Sequence, residues 1–338
     1  MQKINNVNSD FTIKTIKQMN IELFGGCNLG CPMCPQTDNG REKEFKRSMN
    51  FDLFKKIIDE AIPRGLQYVN IGGSGEPTMS KYLVDAVDYL TKHNIESLIY
   101  TNGQKLDNVI FNDLCKAGLT NLKISCQGWD KESYAYWMSI DTFDEMRNKI
   151  KDFKTIVDKN NYSTLLQTNH LIQDYNEADY QKSMYLKNWV NHIGCYAEIW
   201  KAHNWSGIYS KDSINRKDHN INKRSCGRPL SEVIEIRAGG LNGRQAAVVP
   251  CPNVLGRDSD AVLGHVDEED VFDIFNGDKY RDLREKHIKK DFESIDYCKD
   301  CDHLISYPDA LVWTNIPGRK YGESRISNIA YNAEIDKV

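Results

Sequence analysis

Between Met19 and Lys201 short β-rich runs alternate with amphipathic helical stretches, and that alternation leaves few folds open. The runs are Asn20 to Phe24, Tyr68 to Ile71, Ser97 to Thr101, Asn121 to Ser125, Thr164 to Thr168 and Ala197 to Trp200. Repeated βα units predict parallel strands joined by right-handed crossovers, with helices covering the sheet. Phe51, Phe54, Ile57, Ile58 and Ala61 recur at helical spacing between the first two runs, and Tyr82, Leu83, Ala86, Val87 and Leu90 do so before the third. The expected fold is α/β, a partial (β/α)6 barrel whose functional loops lie at the C-terminal ends of its strands.

After Trp205 the alternation stops. A polar connector, Ser210 to Arg224, leads to a hairpin-like pair, Val233 to Arg237 and Ala246 to Val249, and then to a helix carrying Val271, Phe272, Ile274 and Phe275. The expected organisation is an N-terminal extension over 1–17, the barrel over 18–207, a small hairpin-plus-helix extension over 208–318 and a tail over 319–338. The chain's 44 basic residues against 48 acidic ones give no electrostatic reason to expect nucleic acid as a partner. The start lacks a secretory h-region, and no apolar run approaches the roughly 18 residues that span a bilayer, so no membrane partner and a cytoplasmic location are expected. Ten cysteines in such a chain point to metal or cluster ligation rather than to a disulfide framework.

Cys27, Cys31 and Cys34 follow the first strand on one loop, after Gly25 and Gly26. Three thiolates can hold three irons of a cubane and leave the fourth open to a ligand. A zinc loop that borrows a fourth ligand is the alternative. The spacing C-x3-C-x2-C in this place resembles the radical SAM superfamily, with Met33 standing where that family most often has an aromatic residue. The resemblance implies a SAM-binding [4Fe-4S] cluster, S-adenosylmethionine (SAM) chelated to the open iron, and reductive cleavage to a 5′-deoxyadenosyl radical that abstracts hydrogen. It also implies an electron donor such as flavodoxin or ferredoxin.

Further motifs fall at successive strand ends. Gly72-Gly73-Ser74-Gly75-Glu76-Pro77 resembles the family's GGEP motif, with Gly73 and Gly75 allowing close backbone approach and Glu76 holding the SAM amino group. Tyr100-Thr101-Asn102-Gly103 is similar to the family's third-strand end, which brings Asn102 to the cofactor. Ser125, at the end of the fourth run, is expected at the SAM carboxylate or ribose. Gln167 and Asn169 alternate onto one face of the fifth run, where either could reach the ribose or simply meet solvent.

Cys226, Cys251, Cys298 and Cys301 supply four thiolates, enough to close a zinc site or a fully ligated cluster. The segments 203–207, 263–266 and 271–284 resemble the SPASM/twitch extension of radical SAM enzymes, which implies an auxiliary [4Fe-4S] cluster, here of the single-cluster twitch kind. Cys115 and Cys195 read as core residues. Cys126, directly after the fourth run, is a candidate hydrogen-atom donor to a substrate radical, or a pocket wall.

Two enzyme readings follow. In one, a small sugar-like substrate, a carbohydrate, aminocyclitol or nucleotide-sugar alcohol, is oxidised or epimerised, with the auxiliary cluster taking the electron; the architecture resembles that of 2-deoxy-scyllo-inosamine dehydrogenase. In the other the chain is a SPASM-type peptide or protein maturase. Fewer than 30 residues precede Cys27, which favours the small substrate over a maturase with a leader-recognition domain. His203, Arg228, Arg257, Tyr307 and Asp309 lie in segments that could face substrate. A non-enzymatic zinc protein would explain the cysteines but not the strand-end motifs.

Overall fold

The computed structural model describes residues 7–38, 45–209, 223, 225–254, 260–304 and 311–317. Its strands are β1 (Gln18–Ile21), β2 (Tyr68–Ile71), β3 (Glu96–Thr101), β4 (Asn121–Ser125), β5 (Leu165–Ile172), β6 (Tyr196–Lys201), β7 (Val233–Ile236), β8 (Ala247–Val249), β9 (Gly264–His265) and β10 (Leu311–Thr314). All join one sheet in the order β10-β6-β5-β4-β3-β2-β1-β7-β8-β9. The first six are parallel and neighbour one another in chain order, as the βα alternation predicts. β6 pairs outward with antiparallel β10 and β1 with β7, so the barrel stays open between β6 and β1.

The crossover helices follow from their apolar spacing. Helix Phe51–Ala61 buries Phe54, Ile57, Ile58 and Ala61, and the Asn50 side chain caps it by accepting from Asp52 N. Helix Leu83–Lys92 buries Leu83, Ala86, Val87 and Leu90. Each large apolar side chain so buried contributes roughly 1.5–3 kcal/mol. The strands present Val69, Ile71, Ile99, Leu122 and Ile124 to these helices in one continuous core. Their alternate residues therefore face the barrel interior.

β1 ends at Ile21 rather than at the expected Phe24. Leu23 to Gly25 pair instead with the returning chain: Met49 N donates to Leu23 O at 2.9 Å and Gly25 N to Arg47 O at 2.9 Å, which closes the cysteine-bearing loop at its base. The extension adds to the barrel's own sheet. β7 runs parallel beside β1, Gln18 opposite Val233 and Ile21 opposite Ile236, and the expected hairpin continues outward through β8. β10 has no counterpart among the expected elements. No described helix is long and apolar enough to cross a membrane.

Candidate active site

The loop after β1 is folded by its own backbone. Cys34 N donates to Cys31 O at 2.9 Å, Gln36 Nε2 to Gly25 O at 2.8 Å and Glu76 N to Gly26 O at 2.8 Å. Cys31 Sγ lies 3.7 Å from Met138 O, and Ser139 Oγ donates to Gly30 O at 2.6 Å, which seats the loop on the end of helix Lys131–Met138. None of the three thiols is in a disulfide. Burial, then the neighbouring Cys34 and Cys27, push the Cys31 thiol up to about 12, and burial also raises Cys27. Three mutually repelling thiols resist ionisation on their own, and bound iron is the kind of charge that reverses this preference. The donor set therefore fits a cluster.

The glycine run after β2 is required by close approach. A Cβ on Gly75 would lie 1.7 Å from Phe24 O, and one on Gly73 would meet the Glu22 side chain at 2.4 Å. The run carries Glu76 into the barrel mouth, 2% exposed. Its Oε1 accepts from Thr78 N at 3.0 Å, Thr78 Oγ1 at 2.6 Å and Thr101 Oγ1 at 2.6 Å; its Oε2 accepts from Asn102 N at 2.7 Å. Burial raises the Glu76 carboxyl, and these donors oppose that shift. Oε1 is saturated, while Oε2 takes one protein donor and keeps a lone pair for another. Asn102 continues the chain of contacts, donating through Nδ2 to Asn28 Oδ1 at 2.9 Å and toward Cys27 Sγ at 3.6 Å.

The supporting carboxylate was not legible in the sequence. Glu22, 1% exposed, accepts from Ser74 N at 2.8 Å, Ser74 Oγ at 2.6 Å, Arg237 Nη1 at 2.9 Å and Ala238 N at 3.2 Å. It ties the glycine run to the end of β7. Its partner lies 215 residues away, so no local pattern marks it; Thr78 and Thr101 lie inside or beside motifs that do.

A cavity of about 420 Å³ runs from Cys27, Cys31 and Cys34 down the barrel interior. Gly73, Gly75, Glu76, Asn102, Ser125 and Asn169 line it; Gln167 does not, and its Nε2 donates to Asn121 Oδ1 at 2.6 Å deeper in the barrel. His203 and Arg228 also line the cavity. Arg257, Tyr307 and Asp309 lie outside the described residues. Cys126 lies elsewhere: it is fully buried in the core between sheet and helices, and burial holds its thiol well above the ordinary value. Ser125 faces the cavity, so its successor on the strand faces the helices. Cys126 is not among the residues that line the cavity. Cys115 and Cys195 are core residues as well.

The four C-terminal cysteines gather at the cavity's far side. Burial raises Cys298 well above its ordinary value, and Cys226, Cys251 and Cys301 raise it further. Cys301 N donates to Cys298 O at 2.9 Å, and Cys226 and Cys298 pack against Phe292, Cys301 and Leu304. Asn204 N donates to Asp302 Oδ2 at 2.9 Å and Asp302 N to Asn204 Oδ1 at 3.1 Å, clamping the segment after β6 to this turn. Among the described residues no three His, Cys, Asp or Glu side chains converge as one ion would require. A cubane distributes its thiolates over several irons instead. Arg228, Pro252, Asn253 and His303, each within two residues of one of these cysteines, form the cavity wall on this side. One cavity thus touches Cys27, Cys31 and Cys34 directly and sequence neighbours of Cys226, Cys251 and Cys301.

Comparison with known proteins agrees with these two centres. The Radical SAM superfamily model matches residues 21–178, and the SPASM model, an iron-sulfur cluster-binding domain, matches residues 242–302. Domains of these kinds imply a [4Fe-4S] cluster with SAM and auxiliary iron–sulfur binding. "Mycofactocin maturase MftC" of Mycolicibacterium smegmatis is 33% identical over 111 residues, 33% of this chain and 27% of that protein. "PqqA peptide cyclase" of Bradyrhizobium diazoefficiens is 31% identical over 111 residues, 32% of this chain and 28% of that protein. The matches thus span little more than a quarter of those relatives' lengths. The solved structure of BtrN in complex with AdoMet and 2-DOIA covers 86% of this chain and 94% of its own, with a TM-score of 0.57 at 18% identity, a likeness of fold.

Proposed function

We propose that this chain, a radical SAM protein with a C-terminal iron–sulfur-binding SPASM domain, is an enzyme that abstracts a hydrogen atom from a peptide side chain and completes its modification as a maturase does. The observation that carries the reading is the single cavity bordered by Cys27, Cys31 and Cys34 at one side and by the neighbours of Cys226, Cys251 and Cys301 at the other. The first centre with SAM supplies, when bound, the carbon radical that takes the hydrogen, and the second supplies an electron acceptor. Everything else falls to the chain. Cys27, Cys31 and Cys34 would hold the first cluster and leave one iron open; the four C-terminal thiols would close the second. Glu76 Oε2 has capacity for one ammonium donor beside Asn102. Ser125 and Asn169 stand on the same wall to orient the sugar portion of the cofactor. A small electron-transfer protein would deliver the initiating electron.

The peptide reading is supported by the maturase and the peptide cyclase among the sequence relatives. A second reading, oxidation of a small hydroxyl-rich substrate, is favoured by the polar inner face of the barrel, where Asn70, Asn121 and Lys123 line the cavity. One experiment separates them. Anaerobically reconstituted protein with SAM and dithionite is supplied with a desalted peptide fraction or with a low-mass polar fraction, and 5′-deoxyadenosine is measured. Stimulation by the peptide fraction that disappears after protease treatment supports the maturase reading. Stimulation by the low-mass fraction that survives protease supports the second.

A further inference from the structure

Three of the four C-terminal thiols are served by their own turns. The backbone N–H of Arg228 donates to Cys226, that of Asn253 to Cys251 and that of His303 to Cys301, each from two positions further along the chain. Cys298 takes no such amide among the described residues. Its partner comes from another element: His287 Nε2 lies 3.8 Å from Cys298 Sγ, within hydrogen-bond reach of a sulfur. His287 stands in the last turn of helix Asp278–Lys289, 1% exposed, with its ring set edge-on against Phe292 and the ring centroids 5.3 Å apart.

The hydrogen-bond chain behind the ring fixes which nitrogen carries the proton. Ser225 Oγ lies 2.9 Å from His287 Nδ1 and accepts from Gly227 N at 3.1 Å. A hydroxyl that already accepts one bond still has its proton to give, so Ser225 donates to Nδ1 and the neutral ring keeps its single N–H on Nε2, toward the sulfur. The other tautomer fails once Cys298 is an iron-bound thiolate. It would set two acceptors, Nε2 and Sγ, face to face in a buried site. A protonated ring would donate from Nε2 as well, so the direction of the bond is the same in either state.

We infer that His287 is a positioning residue for the second centre: it donates through Nε2 to Cys298 and raises the reduction potential of the cluster that the four thiols hold. This rests on the reading that the quartet closes an electron-accepting cluster. An electron that leaves the substrate radical, whose proton goes to water, adds one negative charge there. Phe292 and Leu304, packed against Cys226, Cys298 and Cys301, offer that charge nothing. Hydrogen bonds to the sulfurs are the lever by which a protein stabilises the reduced state, and three backbone amides plus the imidazole give each thiolate one.

The test is a potentiometric titration, followed by electron paramagnetic resonance, on the full chain carrying Cys27→Ala, Cys31→Ala and Cys34→Ala, in which only the second cluster remains. Adding His287→Phe is expected to weaken its hold on an electron about three- to tenfold, the part of one charge-assisted bond that grows with the added charge. At 59 mV per decade for one electron, that is a fall of about 30 to 60 mV. His287→Gln, which keeps an N–H donor, is expected to retain most of the parent potential. Ser225→Ala, which frees the ring to turn its N–H the other way, should give a smaller fall in the same direction. Iron is counted in every variant. Four irons with the parent potential in both His287→Phe and Ser225→Ala would overturn the inference and leave the reading of the quartet standing. No iron in the parent would overturn that reading, and the inference with it. Should His287→Phe fail to retain iron, Ser225→Ala decides: a lowered potential supports the inference, and an unchanged one overturns it.

Discussion

Asn102 places its side-chain amide 3.6 Å from Cys27 Sγ, while its backbone N–H donates to Glu76 Oε2 at 2.7 Å. One residue at the end of β3 thereby holds the thiol proposed to bind the cluster and the carboxylate expected to receive the SAM amino group in a fixed relation. Replacing it separates the two functions. Asn102→Leu keeps the backbone donor to Glu76 and removes the amide beside Cys27, so iron affinity or activity should fall about 10- to 100-fold, the usual cost of losing a partner that orients a metal ligand, while Glu76 stays held. Iron analysis paired with equilibrium SAM binding checks this.

Glu76→Gln keeps the shape but puts an NH2 group where one carboxylate oxygen stood. If the amide turns its oxygen to the saturated side, it confronts the Asn102 N–H with another donor. The unpaired buried group costs about 1–3 kcal/mol. Thermal unfolding should show that loss together with weaker SAM binding, whereas Asn102→Leu should show itself first in iron loading.

Glu22 and Arg237 are 1% and 0% exposed and bond at 2.9 Å. Arg237→Leu leaves a buried carboxylate uncompensated and should destabilise the chain by about 3–5 kcal/mol. The double variant Glu22→Gln with Arg237→Leu should recover part of that loss in denaturant unfolding. A double variant destabilised by the sum of the two single variants would show that the pair is not coupled.

His170, fully buried against Tyr185 with ring centroids 4.8 Å apart, has its pKa lowered by burial from 6.5 to about 3. The folded state resists its protonation, so the associated stability is present above pH 6.5 and is lost as pH falls from there toward 3. The slope is about 1.4 kcal/mol per pH unit for one proton. Unfolding measured anaerobically between pH 5.5 and 7.5 should lose stability less steeply in His170→Phe than in the unsubstituted chain.

How much of this was legible depended on how local each signal is. The residues of the cysteine trio, and those within each strand-end motif, stand a few positions apart, so spacing carries them, and apolar periodicity carries the barrel. Strand alternation also places Cys126: Lys123 and Ser125 point inward, so Leu122, Ile124 and Cys126 point to the helices. The Glu22–Arg237 pair and the docking of β7 on β1 join segments some 215 residues apart, and a single sequence holds no record of such pairing. β10 is four residues long and stands at the sheet's edge beside β6, where periodicity has little length to act on.

The central claim is that one cavity is served by two separate iron–sulfur centres, and iron counting with product analysis tests it most directly. The unsubstituted chain, reconstituted anaerobically and given SAM and dithionite, should hold about eight irons and form 5′-deoxyadenosine; the triple variant Cys27→Ala, Cys31→Ala, Cys34→Ala should keep about four irons and form none. Full iron loading without deoxyadenosine in the unsubstituted chain, or no iron at all in the triple variant, would contradict the account.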